Sequence, residues 1–278
     1  MAAMKLIRIA AIGSLLLAPA MAESLRVMSF NVRYPSKGDG ENVWENRRDL
    51  LAATIREKNP DVVGTQELYH EQGQYIVAVL PEYARFGVSR RGDTTDEHMA
   101  VFYKKSALKL VESGDFWLSE TPETPGSMSW DVTLPRMVTW GLFETRSGRR
   151  FYYYNTHFPH RQEDREARVK CAGLIARRIA ALPKETALVL TGDFNSPAGS
   201  DAYQAVAVGL QDAWKTAARK AGPEGTFNEF RGISTGPRID WILYRGALRA
   251  VEAETVTKND HGRYPSDHFP VLAVFEWK

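Results

Sequence analysis

The sequence holds one cysteine, Cys171, in 278 residues, so no disulfide can form within the chain. A disulfide-stapled scaffold is excluded, and stability has to come from a core and from any metal the chain binds. Neither sign of charge is in excess, with 36 Lys and Arg against 34 Asp and Glu. Two of the basic residues, Lys5 and Arg8, lie in the first 22 positions, and without them the count is 34 of each sign. A surface that attracts polyanions everywhere is excluded, and any anion binding must be local to a site. No Pro/Gly/Ser-rich linker and no internal repeat breaks the chain, which leaves a single domain over 23–278, long enough for a large core. Cys171 falls in a helical pattern with Val169, Ala172 and Leu174, where a buried structural thiol is expected.

Long apolar runs are missing except near the start. Lys5 and Arg8 precede the apolar stretch Ile9 to Ala18, and Ala20-Met21-Ala22 has the small-x-small form of a cleavage site. The run is short for a bilayer span, so residues 1–22 are expected to be a signal peptide removed near Ala22. The mature chain would then be secreted or periplasmic, of bacterial type, with no membrane span.

What the chain does have is a series of hydrophobic strands that end in polar residues. The clearest is Leu188-Val189-Leu190-Thr191-Gly192-Asp193-Phe194-Asn195, stopped by Ser196-Pro197. Side chains two apart at a strand end project to the same side, so Asp193 and Asn195 can face one ligand. Oxygen and amide groups at that spacing suit a hard cation and the phosphate it holds. Met28-Ser29-Phe30-Asn31, Gly64-Thr65-Gln66-Glu67, Tyr154-Asn155-Thr156-His157 and Tyr264-Pro265-Ser266-Asp267-His268 repeat the theme.

These ends, in this order, make the chain from Leu25 to Trp277 resemble the endonuclease/exonuclease/phosphatase superfamily, which includes pancreatic-type deoxyribonucleases, deadenylases and inositol polyphosphate phosphatases. Trp44-Glu45-Asn46-Arg47 and Asn59-Pro60-Asp61 look most like the deadenylase and nocturnin branch. Periodicity alone says α/β or α+β; the resemblance implies a four-layer α/β/β/α sandwich of two packed mixed sheets with outer helices. It implies that Asn31, Glu67 and Asp267 hold Mg²⁺ or Mn²⁺. It further implies that Asp193 orients or deprotonates the attacking water and that His268, held by Asp240, is a base or a cationic phosphate clamp. His157, supported by Glu97, would bind phosphate or protonate the leaving group, and Asn195 would fix the phosphate. From the residues themselves, Asn155 shares a strand end and side with His157 and is expected to contact substrate, and Arg136 at a strand start can hold phosphate bidentately, a solvated side chain being the alternative. Abasic-site endonucleases place a second carboxylate where this chain has Arg33, so the resemblance does not extend to abasic-site repair.

The expected activity is metal-dependent hydrolysis of a phosphodiester, in a nucleic acid or nucleotide, by in-line attack of water. The alternatives are hydrolysis of a phospholipid, sphingomyelin, or an inositol or sugar phosphate on the same scaffold, or a binding protein without catalysis. No partner protein is indicated. Helices are expected over Trp44–Lys58, His70–Leu80, Glu163–Ala181 and Asp201–Val208. His98 is expected to be structural or a substrate contact. Trp117 is expected in the core, and exposed aromatics of its neighbourhood, such as Trp130, or Phe227 and Phe230 in the later loop, are open to stacking on a substrate.

Overall fold

Apolar, β-branched and aromatic stretches collect into two sets of strands, and amphipathic segments between them cover the outer faces. The structure, a computed structural model, describes residues 23–278, so the expected signal peptide lies outside the described residues. In chain order the elements are β1 (Ser24–Asn31), α1 (Trp44–Lys58), β2 (Val62–Gln66), α2 (His70–Val79), β3 (Tyr83–Phe86), β4 (Val101–Lys104), β5 (Leu108–Trp117), β6 (Met137–Thr145) and β7 (Arg150–His157). They continue with α3 (Arg165–Ala180), β8 (Ala187–Asp193), α4 (Asp201–Val206), β9 (Gln211–Asp212), α5 (Ala213–Thr216), β10 (Arg219–Ala221), β11 (Asp240–Arg245), β12 (Leu248–Thr255) and β13 (Val271–Trp277).

One sheet has seven strands in the order β10-β12-β13-β1-β2-β4-β3, and the other six in the order β5-β6-β7-β8-β11-β9. Central pairs β1–β2 and β7–β8 are parallel, while most of the others are antiparallel. Val27, Val62, Phe143, Tyr153, Val189 and Phe275 fill the space between the sheets. Met28, Phe30, Leu51, Ile55 and Ile76 seal α1 and α2 onto the first sheet, and Cys171, Ile175, Leu188, Leu190 and Trp241 seal α3 onto the second. This is the α/β/β/α sandwich. Among the described residues no helix is long and apolar enough to cross a membrane.

Three helices are shorter than their patterns predict, α2 by the single residue Leu80. A 3-10 turn, Gln162–Asp164, precedes α3, and α4 stops at Val206 because Gly209, at φ +74°, turns the chain away and leaves Val208 exposed.

Candidate active site

Parallel pairing places strand ends side by side. In register, Asn31 of β1 sits opposite Gln66 of β2, and His157 of β7 opposite Asp193 of β8. Asp240, the first residue of β11, is opposite Asp193 across the antiparallel pair. The segment before β13 is tied to the same rim by the Ser266 hydroxyl, which donates to the Asn31 carbonyl at 2.7 Å. Three rim residues just past strand ends take left-handed backbone conformations that are uncommon outside glycine: Arg33 at φ +55°, Glu67 at +59° and Asn195 at +46°. Each turn folds a polar side chain back towards the pocket, a place where backbone strain is often found.

Asp193 is the hub. Its Oδ2 accepts from Asn31 Nδ2 at 3.0 Å and lies 3.5 Å from His157 Nε2 and 3.7 Å from His268 Nε2, while Oδ1 accepts the Asn195 amide at 2.9 Å. Asn31 Nδ2 also reaches Glu67 Oε1 at 3.0 Å, which links the two carboxylates through one amide. Burial, reinforced by the charge of Asp240, pushes Asp193 up to about 7. Burial alone would lower His268, but Asp240, hydrogen-bonded to its Nδ1 at 2.9 Å, and Asp193 overcome it and hold the imidazole well above its usual range. His268 is therefore a cation at neutral pH. His157 goes the other way, pulled well below its ordinary value by burial and by the nearby Arg136. It is a neutral donor or acceptor.

Glu97 Oε2 lies 3.7 Å from His157 Nδ1, within ion-pair reach and beyond a hydrogen bond. Burial pushes Glu97 up to about 7 despite Arg90 Nη1 at 3.0 Å. The pocket over these groups has a volume of about 440 Å³ and is lined by the guanidinium groups of Arg33, Arg90 and Arg136, by His160, and by Tyr34, Tyr69 and Phe227. Arg136 donates through Nη2 to His160 Nδ1 at 3.1 Å, and its buried Nε and Nη1 have no partner. The Phe227 ring stands 5.0 Å from the His268 ring.

Among the described residues, two groups offer metal-ligand atoms lying within 4.8 Å of one another: Glu67, His157 and Asp193, and Asp193, Asp240 and His268. In the second group the cationic His268 carries a proton on both ring nitrogens and has no lone pair to give a metal. Around Glu67 the balance is different, because Asp193 and Asp267 are both held up by burial, and Glu67 adds to the effect on Asp267. Glu67 accepts only the Asn31 amide and, through Oε2, the Tyr34 N–H at 3.2 Å. Asn31 Oδ1 takes the Arg33 N–H at 3.0 Å and keeps a lone pair. An oxygen-rich donor set of two carboxylates, offset only in part by Arg33 Nη1 at 3.8–3.9 Å, fits a hard divalent cation at Asn31, Glu67 and Asp267, better than it fits a soft metal.

Of the residues singled out from the sequence, Glu67, Glu97, Arg136, His157, Asp193, Asn195, Asp267 and His268 line the pocket, with Asn31 and Asp240 hydrogen-bonded beneath. Asn155 is a correction. It is fully buried between the sheets, where Nδ2 donates to the carbonyls of Thr65 at 2.8 Å and Met99 at 3.0 Å, and Oδ1 accepts from Gln66 at 2.7 Å. No substrate can reach it. His98 is structural, its backbone and ring both directed at the Leu68 carbonyl. Trp117 is in the core with Met99 and Met137. Of the two later aromatics Phe227 lines the pocket and Phe230 lies against Arg47 instead.

Arg33, Arg90, His160 and Tyr69 were not found as pocket residues from the sequence, since none ends a strand. Arg47 was missed too, although it belongs to the Trp44-Glu45-Asn46-Arg47 motif. Fully buried, it donates to the carbonyls of Val32 at 2.6 Å, Arg33 at 2.7 Å and Pro265 at 3.0 Å, and so clamps the first and last rim segments together.

Two packed mixed sheets with a rim of carboxylates, histidines and arginines define a phosphoesterase. The endonuclease/exonuclease/phosphatase family model matches residues 28–268, and the chain belongs to that family. Among solved structures, an endonuclease/exonuclease/phosphatase from Bacteroides vulgatus is 37% identical, with a TM-score of 0.86 over 92% of this chain and 100% of that one. A mannosyl-6-phosphatase from Bacteroides thetaiotaomicron is 33% identical, with a TM-score of 0.85 over 91% of this chain and 100% of that one. Human nocturnin is 22% identical over 93% of this chain and 67% of its own length. The chain spans 59% of the length of an uncharacterized mimivirus protein that it also matches.

Proposed function

We propose that the chain hydrolyses a small phosphate monoester, such as a sugar phosphate, with Mg²⁺ or Mn²⁺ held by Asn31, Glu67 and Asp267. The observation that carries this is the charge of the pocket. Arg33, Arg90, Arg136 and the cationic His268 line a cavity of about 440 Å³ opposite Glu67, Glu97, Asp193 and Asp267, so once a divalent ion offsets Glu67 and Asp267 the cavity holds an excess of positive charge. A monoester carries roughly 1.5 to 2 negative charges at neutral pH, whereas each diester link carries one, so this density of cation suits the monoester. The likeness to the mannosyl-6-phosphatase supports the same substrate class.

The bound ion would polarise the phosphoryl oxygens and stabilise the departing oxygen. Asp193, with its carboxyl near 7, accepts the proton of the attacking water while Asn195 and Asn31 hold it in place. His268, already charged and braced by Asp240, clamps the phosphoryl group instead of taking a proton. His157 contributes a hydrogen bond without charge, and Arg136 in the pocket wall adds positive charge beside the phosphate.

A second reading is favoured by Phe227, half-exposed at the pocket mouth where a base could stack: hydrolysis of a phosphodiester in a nucleotide or nucleic acid. Assayed side by side with Mg²⁺, sugar phosphates, inositol phosphates, a generic diester, oligonucleotides and sphingomyelin separate the readings. Phosphate release from sugar phosphates far above cleavage of any diester is expected, and preferential diester cleavage would reverse the assignment. The mature chain is proposed to start after Ala22 and to be secreted or periplasmic, which N-terminal sequencing of the exported protein checks.

A further inference from the structure

Arg33 is fixed from every side. Its N–H donates to Asn31 Oδ1 at 3.0 Å, and its carbonyl accepts from Arg47 at 2.7 Å and Gln72 at 3.0 Å. The guanidinium lies 4.3 Å from the centre of the Tyr34 ring, and its Nε and Nη2 form a bidentate pair with Asp39 at 3.0 and 2.8 Å. Asp39 belongs to the 3-10 segment Lys37–Asn42, so a loop outside the sheets sets the direction of this side chain.

That pairing uses two of the three guanidinium nitrogens and leaves Nη1 free. Nη1 lies 3.9 Å from Glu67 Oε2 and 3.8 Å from Asp267 Oδ2, on the pocket side. Both distances are too long for hydrogen bonds, so the carboxylates keep lone pairs for an ion. Both are short enough for the guanidinium charge to be felt at once by anything the two carboxylates bind. Arginine does not lose its proton, so this charge is permanent.

We infer that Arg33 is a built-in second cation: it restricts the Glu67–Asp267 side of the pocket to one divalent ion and presents Nη1 to the phosphoryl oxygens of the substrate. A second ion on that side would have to sit against a fixed positive charge, whereas an anionic phosphoryl group would be attracted to it. Asp39 is then a positioning residue, acting only through Arg33. This inference rests on the proposed metal site.

The test is titration of the metal-free mature protein with Mn²⁺, by calorimetry and electron paramagnetic resonance, followed by titration of the Mn²⁺ form with inorganic phosphate. One Mn²⁺ per chain is expected. Arg33→Gln should bind Mn²⁺ about tenfold more tightly and phosphate about tenfold more weakly, because one charge a few ångströms away acts on the two ligands with opposite sign. Arg33→Glu should admit a second, spin-coupled Mn²⁺. A thermal melt of each variant shows whether it is folded. Opposite movement of the two affinities separates a charge effect from simple damage, which would weaken both. Two Mn²⁺ in the wild type, or unchanged affinities in Arg33→Gln, would overturn this inference and leave the proposed function standing. Mn²⁺ uptake that is absent, or indifferent to Glu67→Gln, would overturn the metal site and this inference with it.

Discussion

A single carboxylate oxygen, Asp193 Oδ2, lies within 3.7 Å of Asn31, His157 and His268, so its protonation state is the most consequential in the site. Replacing Asp193 by Asn keeps the shape and removes the proton acceptor; replacing His268 by Ala removes the cation facing it. Each change should lower kcat for phosphate release by about 10²–10⁴-fold, with thermal melting still cooperative. Near wild-type turnover in both would remove the assignment. The two residues were legible in the sequence because each stands at a strand or loop end with an ionisable side chain. Asn155 shows where that reasoning stops. It shares a strand face with His157 as the two-residue repeat requires, but that face is the space between the sheets, and only the last position of the strand reaches the rim. Parity gives the side of a sheet; depth along it depends on where the partner sheet ends, and a sequence does not display that.

The elements carry the site by close approach of β2 to β7 and β8. Gly64, in the middle of β2, faces Asn155 and Thr191, and an added Cβ would come within 2.4 Å of Asn155 Oδ1 and 2.5 Å of Thr191 Oγ1. Both oxygens are held in the hydrogen-bond network between the sheets, so neither can yield cheaply. Gly64→Ala should destabilise the fold by about 2–3 kcal/mol through overpacking, read from urea unfolding. Gly173→Ala, within α3, meets nothing closer than the far end of Arg177 at 3.6 Å and should be stabilising by about 0.5–1 kcal/mol on helix propensity. The same stability for both variants would contradict the proposed sheet contact. The helix α1 and its end at Asn59 were legible because an amphipathic pattern meets Asn-Pro. Short strands β9 and β10, of two and three residues, were not, since they exist only through pairing with β11 and β12.

Across the whole molecule, charge is balanced in number and concentrated in place, and the pocket gathers buried carboxylates that folding alone does not neutralise. Asp193 and Glu97 are raised to about 7, above the ordinary carboxylate range, and Asp267 is also raised, in each case chiefly by burial. A carboxyl raised by folding binds more protons in the native state, so it takes stability away as pH climbs from about 4 to about 7. His268, raised, adds stability below its ordinary value of about 6.5 and loses it as pH rises through the folded value; His157, lowered, does the reverse, removing stability as pH falls below about 6.5. Three carboxyls and His268 therefore oppose His157, His98 and His160, all three of them lowered chiefly by burial. In EDTA the urea midpoint should be higher at about pH 6 than at about pH 8. Millimolar Mg²⁺ or Mn²⁺ should restore much of the loss at the higher pH, because binding to the folded state alone shifts the unfolding equilibrium and the ion supplies the charge that protons supplied below. Glu67→Gln should abolish that rescue while leaving the EDTA profile falling with pH. A midpoint that rises from pH 6 to pH 8 without metal would mean that the carboxyls are already compensated within the chain, and the reason for a cation at Glu67 and Asp267 would be gone.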